Sequence, residues 1–173
     1  MKSKLQPEIY YGILSGLGLS LWVLIEYALG FHNRYLEIGI YSGYISTIIP
    51  FIIVFLAFHN HQAVKNRKLS FIDGINIGFK IILVSSIILT VFFYFYNTKI
   101  NPQWIELMVD LQKKKLILGG ATDDEIGKFI AQNSIMNNPI LQAIIGFIGS
   151  TTIGVMITLV EIPIVRKIFR ATV

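Results

Sequence analysis

Three sets of ionisable side chains could carry chemistry in this chain, and each sits in or beside an apolar run. Glu26 lies in GLSLWVLIEYALGF, Lys80 in GFKIILV, and Glu161 in ITLVEIPIV; His59 and His61 flank Asn60 in FHNHQ. An ionisable group inside a membrane span costs about 2.5–3.5 kcal/mol on insertion scales, so it faces protein or water. Glu26 then has two readings. It relays protons or binds a cation, or it snorkels one turn from the headgroups with His32 or Arg34 as partner. Lys80 and Glu161 form a candidate buried ion pair. Counted along their helices from the same side, they sit about 13 Å and about 7 Å deep at 1.5 Å per residue, within reach of a long lysine. A structural clamp is the plainer reading of that pair, and a transport switch the sharper one.

The two histidines are two residues apart. Extended backbone would let both reach one metal, but on a helix they point about 200° apart. No further His or Cys lies nearby, and the chain has no cysteine at all. A zinc site needs about four such ligands, so the pair reads as interfacial polarity. The cysteine count also removes thiol nucleophiles and disulfides. Nucleophile elbows, phosphate loops, zinc-protease helices and calcium loops are missing from the sequence. The expectation is a protein that is not an enzyme and holds no cofactor and no metal.

The elements that position these residues are set by composition. Of the 173 residues, 54% are hydrophobic and 14% charged, against about 45–50% and about 25% in soluble domains. Mean hydropathy is +0.64. Four runs approach the roughly 20 apolar residues that span a bilayer: about 9–31, 38–58, 74–96 and 140–165. The first is too long for a signal peptide, lacks a small-residue cleavage site, and reads as a retained helix. The net charge of +5 comes from cations at the ends of these runs. Membrane topology accounts for them better than nucleic acid does.

Lys2 and Lys4 precede the first run, Lys65, Arg67 and Lys68 lie between the second and third, and Arg166, Lys167 and Arg170 come after the fourth. By the positive-inside rule both termini and the middle loop face the cytoplasm. The expected topology is four membrane crossings, with the segment 97–138 outside. Local signals mark the boundaries. Ser70 and Asp73 resemble a capping box, and Asn138 is a good N-cap before Pro139. Pro50 should kink the second run, and Pro163 should bend or end the fourth. Gly12 with Gly16, Gly74 with Gly78, and Gly146 with Ser150 are small-xxx-small steps that let helices approach, here within one chain.

The outer segment has its own punctuation. Pro102 opens a helix that Gly119 can close in a left-handed cap. Trp104, Leu107, Met108 and Leu111 keep the spacing of one helical face. Thr122 and Glu125 then make a full capping box, and Ile126, Phe129 and Ile130 form a second apolar face. These two faces form a candidate contact surface for a partner protein or the lipid interface.

The order of these features resembles a bacterial membrane family catalogued as domain of unknown function 4199. The resemblance runs through YGILSGLG, KLSFIDGINIGFK, NPQWIELM, GGATDDEI and the Asn-Pro opening of the last helix, covering nearly the whole chain. It implies the architecture and a bacterial inner (cytoplasmic) membrane as the place, and assigns no activity. The expected fold is all-α: one membrane domain, a bundle of four transmembrane helices with two short amphipathic helices in the outer loop between the third and fourth. The expected function is a non-enzymatic interaction or structural module in the lipid bilayer, contacting a membrane-protein partner or forming a homo-oligomer. The alternative is a small transporter or channel subunit that uses Glu26 or Lys80 and Glu161.

Overall fold

A computed structural model of the chain describes residues 6–171, so Lys2 and Lys4 lie outside the described residues, as does the side chain of Arg170. Every regular element among the described residues is helical. They are α1 (Pro7–Ala28), α2 (Leu36–Ile45), α3 (Ile48–Lys65), α4 (Phe71–Phe95), α5 (Trp104–Leu118), α6 (Asp123–Asn133) and α7 (Pro139–Ala171). A π-helical turn, Tyr96–Ile100, continues α4, and a 3₁₀ turn, Ser134–Asn137, precedes α7. Four stretches are long and apolar enough to cross a membrane: Pro7–Ala28, Leu36–Lys65, Phe71–Ile100 and Pro139–Ile168.

The second stretch is broken between α2 and α3, and Pro50 explains where. A helical proline offers no N–H to the carbonyl four residues earlier, and its ring clashes with that carbonyl. Here that residue is Ser46, whose carbonyl instead accepts from Ile49 N at 3.1 Å. The hydroxyls of Ser46 and Thr47 turn back onto the carbonyls of Gly43 and Tyr44 at 2.6 and 2.7 Å. Pro163 does not end the last helix, contrary to one of the two expectations for it: α7 runs through it to Ala171. Prolines are tolerated inside such helices when neighbouring groups re-satisfy the freed carbonyl.

Helix ends obey the local chemistry. The Ser70 hydroxyl accepts from Asp73 N at 3.0 Å, and the Asp73 carboxylate pairs with Arg67 at 2.9 Å. Asn138 Oδ1 caps α7 through Ile140 N at 2.9 Å. At the end of α5 the left-handed residue is Gly120 (φ +81°) and not Gly119 (φ −79°). The turn is displaced by one residue, because Gly119 still closes a helical bond to Lys115 O.

Glycines set which helices touch and in what register. A Cβ on Gly12 would meet Val84 at 2.7 Å and one on Gly16 would meet Ile88 at 2.8 Å, so α1 runs parallel to α4 in close contact. Ser85 donates to Ser15 across that seam at 3.0 Å. On its other side α4 runs antiparallel to α7: Gly74 faces Ile162, Gly78 faces Thr158, and Gly154 faces Ile82. Helix α3 completes the bundle against α1 and α7. Val54, Ala57, Phe58, Leu69, Ile77, Ile81, Ile162 and Val165 form the core where α3, α4 and α7 meet. Gly146 is the exception among the expected small-residue steps, since nothing lies within 4 Å of a Cβ placed there. The helix starts one-sided, and Gly154 takes the packing role.

The bundle therefore has two unlike ends. The terminal end holds the start of α4 and the close of α3 and α7. The hairpin end holds the loop 29–35, the π-helical turn, and α5 and α6.

Candidate functional site: a buried polar network and a solitary acid

At the hairpin end, four polar side chains from three segments meet out of solvent: Glu26, His32, Tyr96 and Asn101. Glu26 Oε1 accepts from Trp22 Nε1 at 2.8 Å, and Glu26 Oε2 lies 3.3 Å from His32 Nε2. The other ring nitrogen, His32 Nδ1, is 2.6 Å from the Tyr96 hydroxyl. Asn101 Nδ2 donates to that hydroxyl and to the His32 carbonyl, both at 3.2 Å. One proton arrangement satisfies every member. Asn101 donates to Tyr96, Tyr96 donates to Nδ1, and Nε2–H donates to Glu26; the imidazole is neutral. Burial pushes the His32 pKa below its ordinary 6.5, against the opposing charge and hydrogen bond of Glu26. Of the two partners expected for Glu26, the structure brings His32 and not Arg34, which is exposed.

The network is walled by aromatic rings. Trp104 lies with its ring centroid 5.1 Å from that of His32 and stacks on Phe93 at 6.2 Å; Tyr27 and Phe92 flank Tyr96 at 6.0 and 5.8 Å. The π-helical turn matters here. One extra residue in a turn rotates the downstream side chains relative to a continued α-helix, and Asn101 N closes the turn onto the Tyr96 carbonyl at 2.8 Å. Tyr96 and Asn101 thereby face the same loop.

The expected ion pair is not formed. Glu161 is 0% exposed and neither of its carboxylate oxygens has a hydrogen-bond partner, whereas Lys80 is exposed. Two causes separate them. The contacts of Gly74, Gly78 and Gly154 place Lys80 about five residues from Glu161 in register, about 7.5 Å along the axis. Gly74 and Gly78, with Ile77, Ile81 and Ser85, define the buried face of α4, and Lys80 is exposed, off that face. On α7 the buried positions are Gly154, Thr158, Glu161, Ile162 and Val165, so Glu161 sits on the inward stripe. His59 is exposed, His61 is half-buried, and no group of three potential metal ligands occurs among the described residues.

A family model described as "Protein of unknown function (DUF4199)" matches residues 10–166. The chain belongs to that family. The matched span runs from the first glycine-bearing helix through both polar features to the end of the α7 core. No curated protein and no solved structure matches this DUF4199 chain.

The two faces expected to make contacts lie on α5 and α6, neither of which has a fully buried residue. Trp104, Leu107, Met108 and Leu111 are half-buried, as are Ile126 and Phe129, while Ile130 is 44% exposed. The helices pack on each other. The capping box at α6 is complete: Thr122 N donates to Glu125 Oε2 at 2.8 Å, holding that carboxyl below the usual carboxylate range, and Glu125 N reaches the Thr122 hydroxyl at 3.4 Å. Lys128 pairs with Asp124 at 2.6 Å, one helical turn away. Lys115 lies 3.8 Å from Glu37 at the start of α2. Sequence reasoning missed Tyr96 and Asn101, whose types and spacing carry no signal without the π turn.

Proposed function

We propose that this DUF4199 protein is a non-enzymatic integral protein of a bacterial inner membrane, with both termini cytoplasmic, whose α5–α6 hairpin is a contact surface on the outer side. The observation that carries the reading is the unequal treatment of the hairpin's two ends. Its root is fixed, because Trp104 stacks on Phe93 and packs tilted against the buried His32. Its tip is bare: Ile117 is 52% and Leu118 88% exposed, beside Lys113, Lys114 and Lys115. Short helices are marginal alone in water and need a surface. Apolar tips flanked by cations suit an anionic headgroup layer or a membrane-protein partner. The mutual satisfaction of Glu26, His32, Tyr96 and Asn101 supports a structural brace over a transport path through Glu26.

Single cysteines at Leu118 and Lys68, in this chain without cysteine, test the reading in intact cells. An impermeant thiol reagent should label L118C and spare K68C. A thiol-linked photocrosslinker on L118C should then give a discrete protein adduct, a lipid adduct, or a dimer. Labelling of K68C in place of L118C, or photolysis products of water alone, would overturn it.

A further inference from the structure

Two cavities lie at the ends of one face of α2, and their walls differ in chemistry. The first, about 730 Å³, lies between Ile40 of α2 and the α5–α6 hairpin, where Lys115, Glu125 and Phe129 line it. The second, about 120 Å³, lies inside the bundle. There the break between α2 and α3 leaves Ser46, Thr47 and Pro50 against Ser86 of α4 and Ser150 and Ile153 of α7. Ser85 and Ser86 are the central pair of the 30-residue stretch Phe71–Ile100, so this cavity sits at mid-span. Its hydroxyls are largely spent within the chain: Ser46, Thr47 and Ser150 donate to the carbonyls of Gly43, Tyr44 and Phe147, and Ser85 donates to Ser15. Ile40, Gly43 and Thr47 follow at i, i+3 and i+7, and Ser46 and Thr47 keep helical dihedrals across the break (φ −56° and −64°), so the three share one face. Ile40 borders the first cavity and Thr47 the second, about 10 Å apart at 1.5 Å per residue. Between them a Cβ on Gly43 would meet nothing within 4 Å, and Gly146, one turn from Ser150 on the same face of α7, is equally open.

We propose that this face of α2 binds one phospholipid with a zwitterionic, ammonium-bearing headgroup. The headgroup occupies the cavity under the hairpin, and one acyl chain passes over Gly43 so that its end fills the mid-span cavity. The proposal rests on the membrane placement given above. Depth is the first argument for this occupant. One leaflet with its headgroups is about 20–22 Å deep, and residues 86–100 of the third span cover about 22 Å. Charge is the second. Lys115 suits a phosphate, while Glu125 in the same cavity and Glu37, 3.8 Å from Lys115, suit an ammonium. An anionic headgroup would meet two carboxylates for one lysine. Wall chemistry is the third: a hydrocarbon chain asks for no hydrogen bond, and the mid-span cavity has few left to give. Bound there, the lipid ties the turn of the hairpin to the broken span.

Photolabelling of the full chain in liposomes tests the proposal, with phosphatidylethanolamine that carries a diazirine at the end of one acyl chain. Adducts should concentrate on Ser46, Leu89 and Ile153, which line the mid-span cavity. Gly43→Phe, whose ring takes the open space on α2, should abolish them. Lys115→Gln should lower their yield, Lys114→Gln, outside the cavity, should not, and the same chain on phosphatidylglycerol should label less. Should Gly43→Phe fail to fold, Ser150→Leu fills the mid-span cavity from α7 and must have the same effect. Ile87 and Ile148 are 50% and 59% exposed close to the same height and report ordinary contact with lipid. Equal labelling of these two and of the cavity, cavity adducts that survive Gly43→Phe or are indifferent to Lys115→Gln, or an equal yield from phosphatidylglycerol would overturn the proposal. Adducts at neither place would overturn the membrane placement with it.

Discussion

Replacing Tyr96 by Phe isolates the hairpin-end network from its packing. The ring stays, so its contacts with Tyr27, Phe92 and Trp104 are kept and only the hydroxyl goes. That hydroxyl joins two partners, His32 Nδ1 at 2.6 Å and Asn101 Nδ2 at 3.2 Å. Asn101 retains the His32 carbonyl as an acceptor, so its loss is one bond of about 1 kcal/mol. His32 Nδ1 is different, because it is buried and has no other donor. Leaving it unmet costs about 1–3 kcal/mol. The sum is about 2–4 kcal/mol. Tyr94 is the internal control: it lies on the same helix, is 42% exposed, and Y94F should stay within about 0.5 kcal/mol of wild type. Thermal or denaturant unfolding of both variants in one detergent, monitored by tryptophan emission, gives the comparison. A Y96F midpoint that coincides with Y94F would refute the proton arrangement drawn for His32.

Packing and electrostatics set the other expected outcomes. Gly78→Ala drives a Cβ into Thr158 Cγ2 and should cost about 1–3 kcal/mol by overpacking. Gly127→Ala, in open space on α6, should instead gain about 1 kcal/mol of helix propensity in the same unfolding assay. The pH dependence has a fixed sign at His32: its folded pKa lies below the ordinary 6.5, so the unfolded chain binds the proton first as pH falls. Stability from this group is fully present above about 6.5 and declines as pH drops from there through the folded value, and H32Q should flatten that slope in unfolding curves. Finally, K80M and E161Q should add to within about 0.5 kcal/mol in a double-mutant cycle, since the two residues do not meet; a coupling well above that would restore the ion pair.

The four spans were readable because their signal is local: run length fixes the candidates. The caps at Ser70, Thr122 and Asn138 were readable for the same reason, each being a side chain and a backbone N–H two or three residues apart. Lys80 and Glu161 show where such reading stops. Depth along two helices can be counted from sequence, but the face cannot, because the buried side of α4 is chosen by what Gly74 and Gly78 admit from α7. The partner of Glu26 was within reach, six residues on at His32. Tyr96 lies 64 residues from His32, beyond any local pattern, and the π turn breaks the helical period that would have placed Asn101.

The parallel seam of α1 and α4 sets an order of assembly. The small and polar face of α1, with Ser15, Gly16 and Glu26, fits a helix made two spans later: Ser15 meets Ser85, 70 residues on. At about 5–20 residues per second, a ribosome leaves α1 waiting on the order of 4–14 s for that neighbour. With the membrane placement proposed above, the first helix spends that interval in the bilayer or its insertion machinery with an acid and two serines on its partner-seeking side. Trp22 and His32 lie close enough in sequence to attend Glu26 during the wait, through bonds that need no later helix. The acid thus has its own partners in place before Tyr96 and Asn101, which bond His32, are synthesised.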